Sequence, residues 1–129
     1  MGFSKDLSDV KTLIVEDNAF FRDVVKEELR RVSRTMVIHE AVDGRRAIEE
    51  VEALKPELIF MDIQLPGENG LQLTQKIRTK YPEIKVIVLT SFDCPEYRHA
   101  ALQAGGVCYI PKDSLAHVKF EELIKSILK

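Results

Sequence analysis

The stretch Leu58-Ile59-Phe60-Met61-Asp62 runs through four apolar side chains and stops on a carboxylate. A strand with one wet face alternates apolar and polar residues. An unbroken apolar run this short suits a strand covered on both faces, as in a parallel sheet. Similar runs occupy residues 12–15, 86–89 and 107–110, and a weaker one occupies 35–38. Amphipathic stretches separate them. Over residues 19–33, Phe21, Val25, Leu29 and Val32 share one helical face. Over 43–54, Ala47, Ile48, Val51 and Leu54 do so, with Asp43 as the expected N-cap. Residues 70–80 carry Leu73 and Ile77. Residues 95–104 open on Pro95 and end before Gly105-Gly106, and a last helix is expected over 115–128, with Phe120, Leu123, Ile124 and Ile127 inward. The order is β then α, five times. It predicts an α/β doubly wound fold, a parallel sheet with helices on both faces.

The bulk composition agrees. A chain of 129 residues suits one compact domain, here residues 11–129 after a lead-in over 1–10. With 45% hydrophobic and 31% charged residues and a formal net charge of -2, it offers no broad basic surface for nucleic acid or for an anionic membrane. No apolar run approaches the roughly 20 residues that span a bilayer, and the start of the chain has no signal-peptide core. The expected location is the cytoplasm. Cys94 and Cys108 are expected to be buried free thiols, too few for a disulfide framework.

In an open parallel sheet, ligands bind beyond the carboxyl ends of the strands, where the strand order reverses. The first strand ends in Glu16-Asp17, the third in Asp62, the fourth in Thr90-Ser91, and the fifth is followed by Lys112. Parallel strands would bring these residues to one edge. Three carboxylates that close together need raised pKa values or a cation. A hard divalent ion such as Mg²⁺ suits few carboxylates and several retained waters. Lys112 adds a positive charge and Thr90 a hydroxyl, both suited to a phosphoryl oxygen. A carboxylate is itself a competent nucleophile and forms an aspartyl-phosphate when the incoming charge is neutralised.

With these residues in this order, the chain resembles the receiver domains of two-component response regulators over roughly residues 10 to 128. The matching positions are Glu16-Asp17, Asp62, Thr90, Lys112 with Tyr109 three residues before it, and the loop from Asp62 through Pro66 to Gly70. The resemblance implies a flavodoxin-like (βα)5 sandwich with strand order 2-1-3-4-5. It also implies a phosphoacceptor at Asp62 that takes its phosphoryl group from the phosphohistidine of a sensor histidine kinase or phosphotransfer protein. Mg²⁺ would be held by Asp17, Asp62 and the backbone carbonyl of Gln64, with Glu16 acting through water. Thr90 and Lys112 would hold the phosphoryl oxygens. Thr90 and Tyr109 would form a switch that alters an output surface, read by an effector domain or partner the sequence does not identify. Phe20 is expected to point outward and to suit docking of the kinase's helices. His39, His99 and His117 share no metal-ligand spacing and are expected to face solvent.

Some positions depart from the commonest pattern. Asp113 stands after Lys112 where many receivers have proline, a variation similar to the branch that carries helix-turn-helix output domains. Residues 114–120 are longer than usual. Gln64 and Phe92, two residues after Asp62 and Thr90, flank the path of an attacking water, and the bulk of Phe92 is expected to slow hydrolysis. Three other functions compete. A Mg²⁺-dependent phosphohydrolase with an aspartyl nucleophile commonly needs an acid two residues on, where this chain has Gln64. A flavin-binding electron carrier needs a hydroxyl- and Gly-rich phosphate loop where this chain has Glu16-Asp17. A phosphorylation-independent binding module would not need the acidic, hydroxyl and lysine positions together.

Overall fold

The computed structural model describes residues 7–129. Five strands form one parallel sheet: β1 (Lys11–Val15), β2 (Val37–Ala41), β3 (Leu58–Asp62), β4 (Lys85–Thr90) and β5 (Cys108–Pro111). Their order is β2-β1-β3-β4-β5, so the chain leaves β1 for one edge and returns to β3 on the other side. Five helices connect or follow the strands: α1 (Ala19–Val32), α2 (Gly44–Leu54), α3 (Gly70–Lys80), α4 (Pro95–Gln103) and α5 (Phe120–Ile127). This is the doubly wound sandwich that the sequence predicts. No helix among the described residues is long and apolar enough to cross a membrane.

The alternation inside β3 explains the two cores. Leu58 and Phe60 point to one face, against Val25 and Leu29 of α1 and Phe120 and Ile124 of α5. Ile59 and Met61 point to the other, against Ala47 and Val51 of α2, Leu73 and Ile77 of α3 and Ala101 of α4. Every residue of β3 is buried, because helices cover both sides of the central strand. Asn18, Asp43 and Asn69 cap α1, α2 and α3, each accepting a hydrogen bond from a backbone N–H of the first turn.

Several boundaries differ from the sequence reading. β2 begins at Val37, not at residue 35. It is an edge strand, so it tolerates the half-exposed His39 and Glu40, and its register is set by β1, with Lys11 opposite Val37 and Val15 opposite Ala41. β5 runs one residue later than expected and ends on Pro111, a residue suited to the end of an edge strand. The last helix is much shorter than expected. A 3₁₀ helix, Lys112–His117, precedes it, and Leu115 from that turn is buried in the first core. Of the lead-in, residues 1–6 lie outside the described residues, while Leu7–Asp9 forms a 3₁₀ turn with Leu7 and Val10 buried. Both cysteines are free but only half-buried, which corrects the expectation of buried thiols. Cys94 occupies the turn before α4 and Cys108 an edge strand, and burial raises the Cys108 thiol pKa above its usual value.

The loop after β3 makes a two-residue antiparallel hairpin, Gln64–Leu65 against Glu68–Asn69, turning at Gly67 with φ of 74°. Its end is fastened by the Gly70 N–H, which donates to the Ile63 carbonyl at 2.7 Å. A Cβ on Gly70 would be driven into the Asp62 carbonyl oxygen and would lie 2.9 Å from the Ile63 Cα. A Cβ on Gly67 would meet no atom within 4 Å, so alanine there suffers only the left-handed backbone, a cost of about 1–2 kcal/mol. Gly70→Ala is therefore expected to destabilise more than Gly67→Ala, by more than about 2 kcal/mol in total, because rigid backbone must move. Urea unfolding of both variants measures this. Equal losses would show that the loop yields easily.

Candidate functional site

β1 and β3 are neighbours on either side of the point where the strand order reverses, with Val15 opposite Met61. The residues that follow them, Glu16 and Asp17 on one side and Asp62 on the other, therefore emerge side by side. Thr90 ends β4 and pairs with Pro111, so Lys112 leaves β5 at the same edge. The topology alone thus gathers groups from four separate stretches of chain.

The side chains converge. Carboxylate oxygens of Glu16, Asp17 and Asp62 lie within 4.8 Å of one another. Lys112 Nζ stands 2.8 Å from Glu16 Oε1 and 3.3 Å from Asp62 Oδ1. Glu16 is fully buried, Asp62 is 2% exposed and Lys112 8%, whereas Asp17 faces solvent. One ammonium thus answers two buried carboxylates, a ratio that leaves negative charge uncompensated. Glu16 Oε2 accepts the Asn18 N–H at 3.1 Å. Glu16 Oε1 is buried and meets the ammonium as an ion pair without the directional geometry of a hydrogen bond.

Asp62 carries the consequence. Burial first, then the neighbouring Glu16 charge and a hydrogen bond shared with it, push its carboxyl from 3.8 up to about 7, against the opposing pull of Lys112 and the Gln64 N–H. That N–H donates to Asp62 Oδ1 at 3.3 Å. A cation can replace the proton that the cluster otherwise retains. The chemistry of the donor set fits a hard divalent ion: oxygen atoms only, a buried oxygen lacking a directional partner, and a solvent-facing Asp17 beside it.

The remaining residues surround this centre. The Thr90 hydroxyl is 3.0 Å from both the carbonyl and the N–H of Phe92, and is buried. The Tyr109 hydroxyl donates to the same Phe92 carbonyl at 2.6 Å. Phe92 is itself 53% exposed and packs near Tyr97, 6.2 Å between ring centres. Gln64 lies exposed in the hairpin. Phe20, 68% exposed, stands at the start of α1 edge-on to Phe21. The histidines lie apart from the site. His99 and His117 are exposed, and His39 is half-buried and pairs with Glu50 at 3.0 Å.

Three contacts around the site are not carried by the sequence pattern. Arg22 donates to the Glu16 carbonyl and to Glu40, each at 3.0 Å, tying α1 to the ends of β1 and β2. Gly70 lets the chain pass against the backbone of Asp62. Phe21 holds its ring 4.8 Å from Lys112 Nζ, although its spacing marks it only as core. Asn18 caps α1, and Glu16 accepts the backbone N–H of that cap residue.

Comparison with known proteins follows this geometry. The family profile described as response regulator receiver domain matches residues 12–127. The transcriptional regulatory protein DegU of Brevibacillus brevis is 33% identical over 112 residues, which is 87% of this chain and 48% of that protein. A protein-glutamate methylesterase/protein-glutamine glutaminase of Vibrio parahaemolyticus is 36% identical over 118 residues, 91% of this chain and 30% of that one. This chain thus spans half or less of the length of these relatives. Among solved structures, the response regulator domain of Thermotoga maritima CheB superposes with a TM-score of 0.78 at 31% identity, covering 92% of this chain and 93% of that one. A LuxR-family DNA-binding response regulator from Staphylococcus aureus gives 0.79 at 27% identity, covering 93% and 99%. The profile spans nearly all of the sheet and helices that build the acidic edge, and the chain belongs to the response regulator receiver domain family.

Proposed function

We propose that this domain accepts a phosphoryl group on Asp62 from a phosphohistidine of a sensor kinase or phosphotransfer protein, and that phosphorylation switches an output surface. The observation that carries the reading is the meeting of Glu16, Asp17 and Asp62 with a single buried ammonium at the switch point of the sheet. An Asp62 carboxylate oxygen attacks phosphorus in line. The P–N bond breaks, and its electron pair returns to the histidine nitrogen. Lys112 moves from carboxylate to phosphoryl oxygen with little displacement, since its Nζ already lies 3.3 Å from Asp62. Asp17, Asp62 and the Gln64 carbonyl would hold Mg²⁺, with Glu16 acting through water, and the ion would supply charge neutralisation. The domain catalyses only its own phosphorylation and dephosphorylation, and acts in the cytoplasm.

Thr90 is the first element of the switch. Its hydroxyl must give up Phe92 to reach a phosphoryl oxygen, and Tyr109 shares that Phe92 carbonyl, so the two residues adjust together. The face they alter includes α4, where Arg98 lies over the Tyr109 ring at 5.5 Å. Phe20 offers an exposed ring beside the acidic edge to the kinase's helices. A DNA-binding output is the reading favoured by the Lys112-Asp113 pair and by the regulators among the relatives.

Three outcomes test this reading. Incubation with acetyl phosphate and Mg²⁺ should add one phosphoryl group, seen by intact mass, and Asp62→Asn should abolish it. An adduct retained by that variant would place the acceptor elsewhere. Phe92→Ala should lose the phosphoryl group faster than the parent, by about threefold or more if the ring screens the attacking water; an unchanged rate removes that role. The third follows from the raised Asp62 pKa. The folded state keeps a proton that the unfolded state releases between 3.8 and about 7, so this group costs metal-free stability progressively as pH rises through that window. Asp62→Asn should therefore be more stable than the parent in chelator at about pH 8, by roughly 4 kcal/mol if the whole window is realised, and the gap should close toward about pH 4. Added Mg²⁺ should narrow it at high pH by stabilising the parent alone. Calorimetry showing no gap at high pH would mean that Asp62 ionises without cost.

A further inference from the structure

We infer that Phe21 is a positioning residue for Lys112, holding the ammonium over its ring and aimed at Asp62. The inference rests on the proposed phosphoacceptor function and adds a residue to it. Four groups form a closed circuit. Glu16 Oε2 accepts the Asn18 N–H at 3.1 Å. Asn18 Oδ1 accepts the Phe21 N–H at 3.2 Å. The Phe21 ring lies 4.8 Å from Lys112 Nζ, and Lys112 Nζ returns to Glu16 Oε1 at 2.8 Å. The residue that anchors the ammonium electrostatically therefore also fixes the turn that presents the ring.

A lysine on a flexible four-carbon stem needs such a seat. Its ammonium has three donors and no fixed plane, and Glu16 offers it charge without hydrogen-bond direction. It lies between two carboxylates, 2.8 Å from Glu16 and 3.3 Å from Asp62, and the ring adds a third contact that neither of them supplies. The face of an aromatic ring attracts a cation without withdrawing a donor from it, and the attraction grows where water is excluded. At 8% exposure Lys112 is in that regime. Phe21 thus steadies the ammonium while leaving its protons free for a phosphoryl oxygen. An aliphatic residue would fill the same space without this effect. The neighbouring Phe20 packs edge-on against Phe21 at 5.3 Å between centres and limits its tilt.

The test separates the ring's charge distribution from its bulk. Phe21 is replaced by phenylalanines carrying one, two, three and five fluorines, which keep the shape but progressively deplete the ring face. Self-phosphorylation by acetyl phosphate at saturating Mg²⁺ is followed by intact mass, with melting temperature as a control. The logarithm of the rate should fall steadily along the series, reaching about three- to tenfold slower at the pentafluoro ring, while melting stays near the parent value. Phe21→Leu should match the slow end, and Phe21→Tyr should recover most of the parent rate. A flat series, or Phe21→Leu reacting like the parent, overturns the positioning role while leaving the phosphoacceptor reading intact. A parent chain that takes up no phosphoryl group at all would instead remove the function on which the inference rests.

Discussion

Two buried carboxylates share one ammonium at the carboxyl edge of a parallel sheet, and much of the domain is arranged around that imbalance. Glu16 and Asp62 cannot both ionise cheaply out of water. Lys112 offsets part of that charge, and burial first, then the Glu16 charge, keep the Asp62 pKa raised. The remaining demand is for a cation, and Asp17, exposed beside the pair, gives such an ion a wet side on which to keep part of its hydration. A hydrophobic core filling both faces of the sheet keeps solvent from reaching the cluster from below. The same packing that stabilises the fold thus makes the charge of its acidic edge expensive to leave uncompensated.

The sequence exposes this arrangement unevenly. The central strand is plain in it, because four apolar residues followed by Asp62 have few other readings, and the parallel order then places Glu16-Asp17, Thr90 and Lys112 without further information. What periodicity does not carry is tertiary. β2 is blurred in the sequence because an edge strand is free to hold His39 and Glu40, so its apolar signal is diluted. The end of the chain reads as one helix because residues 115–128 hold no proline or glycine to break it, although a tight 3₁₀ turn delivers Leu115 to the core instead.

The site shows the same division. Spacing along α1 assigns Phe21 to the core face, and its ring does reach the first core, yet its partner across space is Lys112, about ninety residues later in the chain. Arg22 reads as an ordinary helix-surface cation and turns out to fasten Glu16's carbonyl. Gly70 is visible as part of a loop pattern, but its necessity comes from the passage of α3 against Asp62, which only coordinates reveal. Contacts between distant stretches obey no local period, so they are the part of the site that a single sequence withholds.

The fastening of the hairpin after β3 divides the pocket mechanically. On the Asp62 side, Gly70 donates to Ile63, the Thr74 hydroxyl donates back to Gly70, and Ile63 is bonded to Leu89, so this wall is stapled into both the sheet and a helix. On the opposite side, the Thr90 hydroxyl is held by hydrogen bonds to a neighbouring loop residue whose own ring is half in water. The pocket resembles a vice with one jaw bolted to the bench. The wall with the looser fastening is also the one that adjoins α4 and β5, so strain imposed on this edge of the sheet is taken up there first.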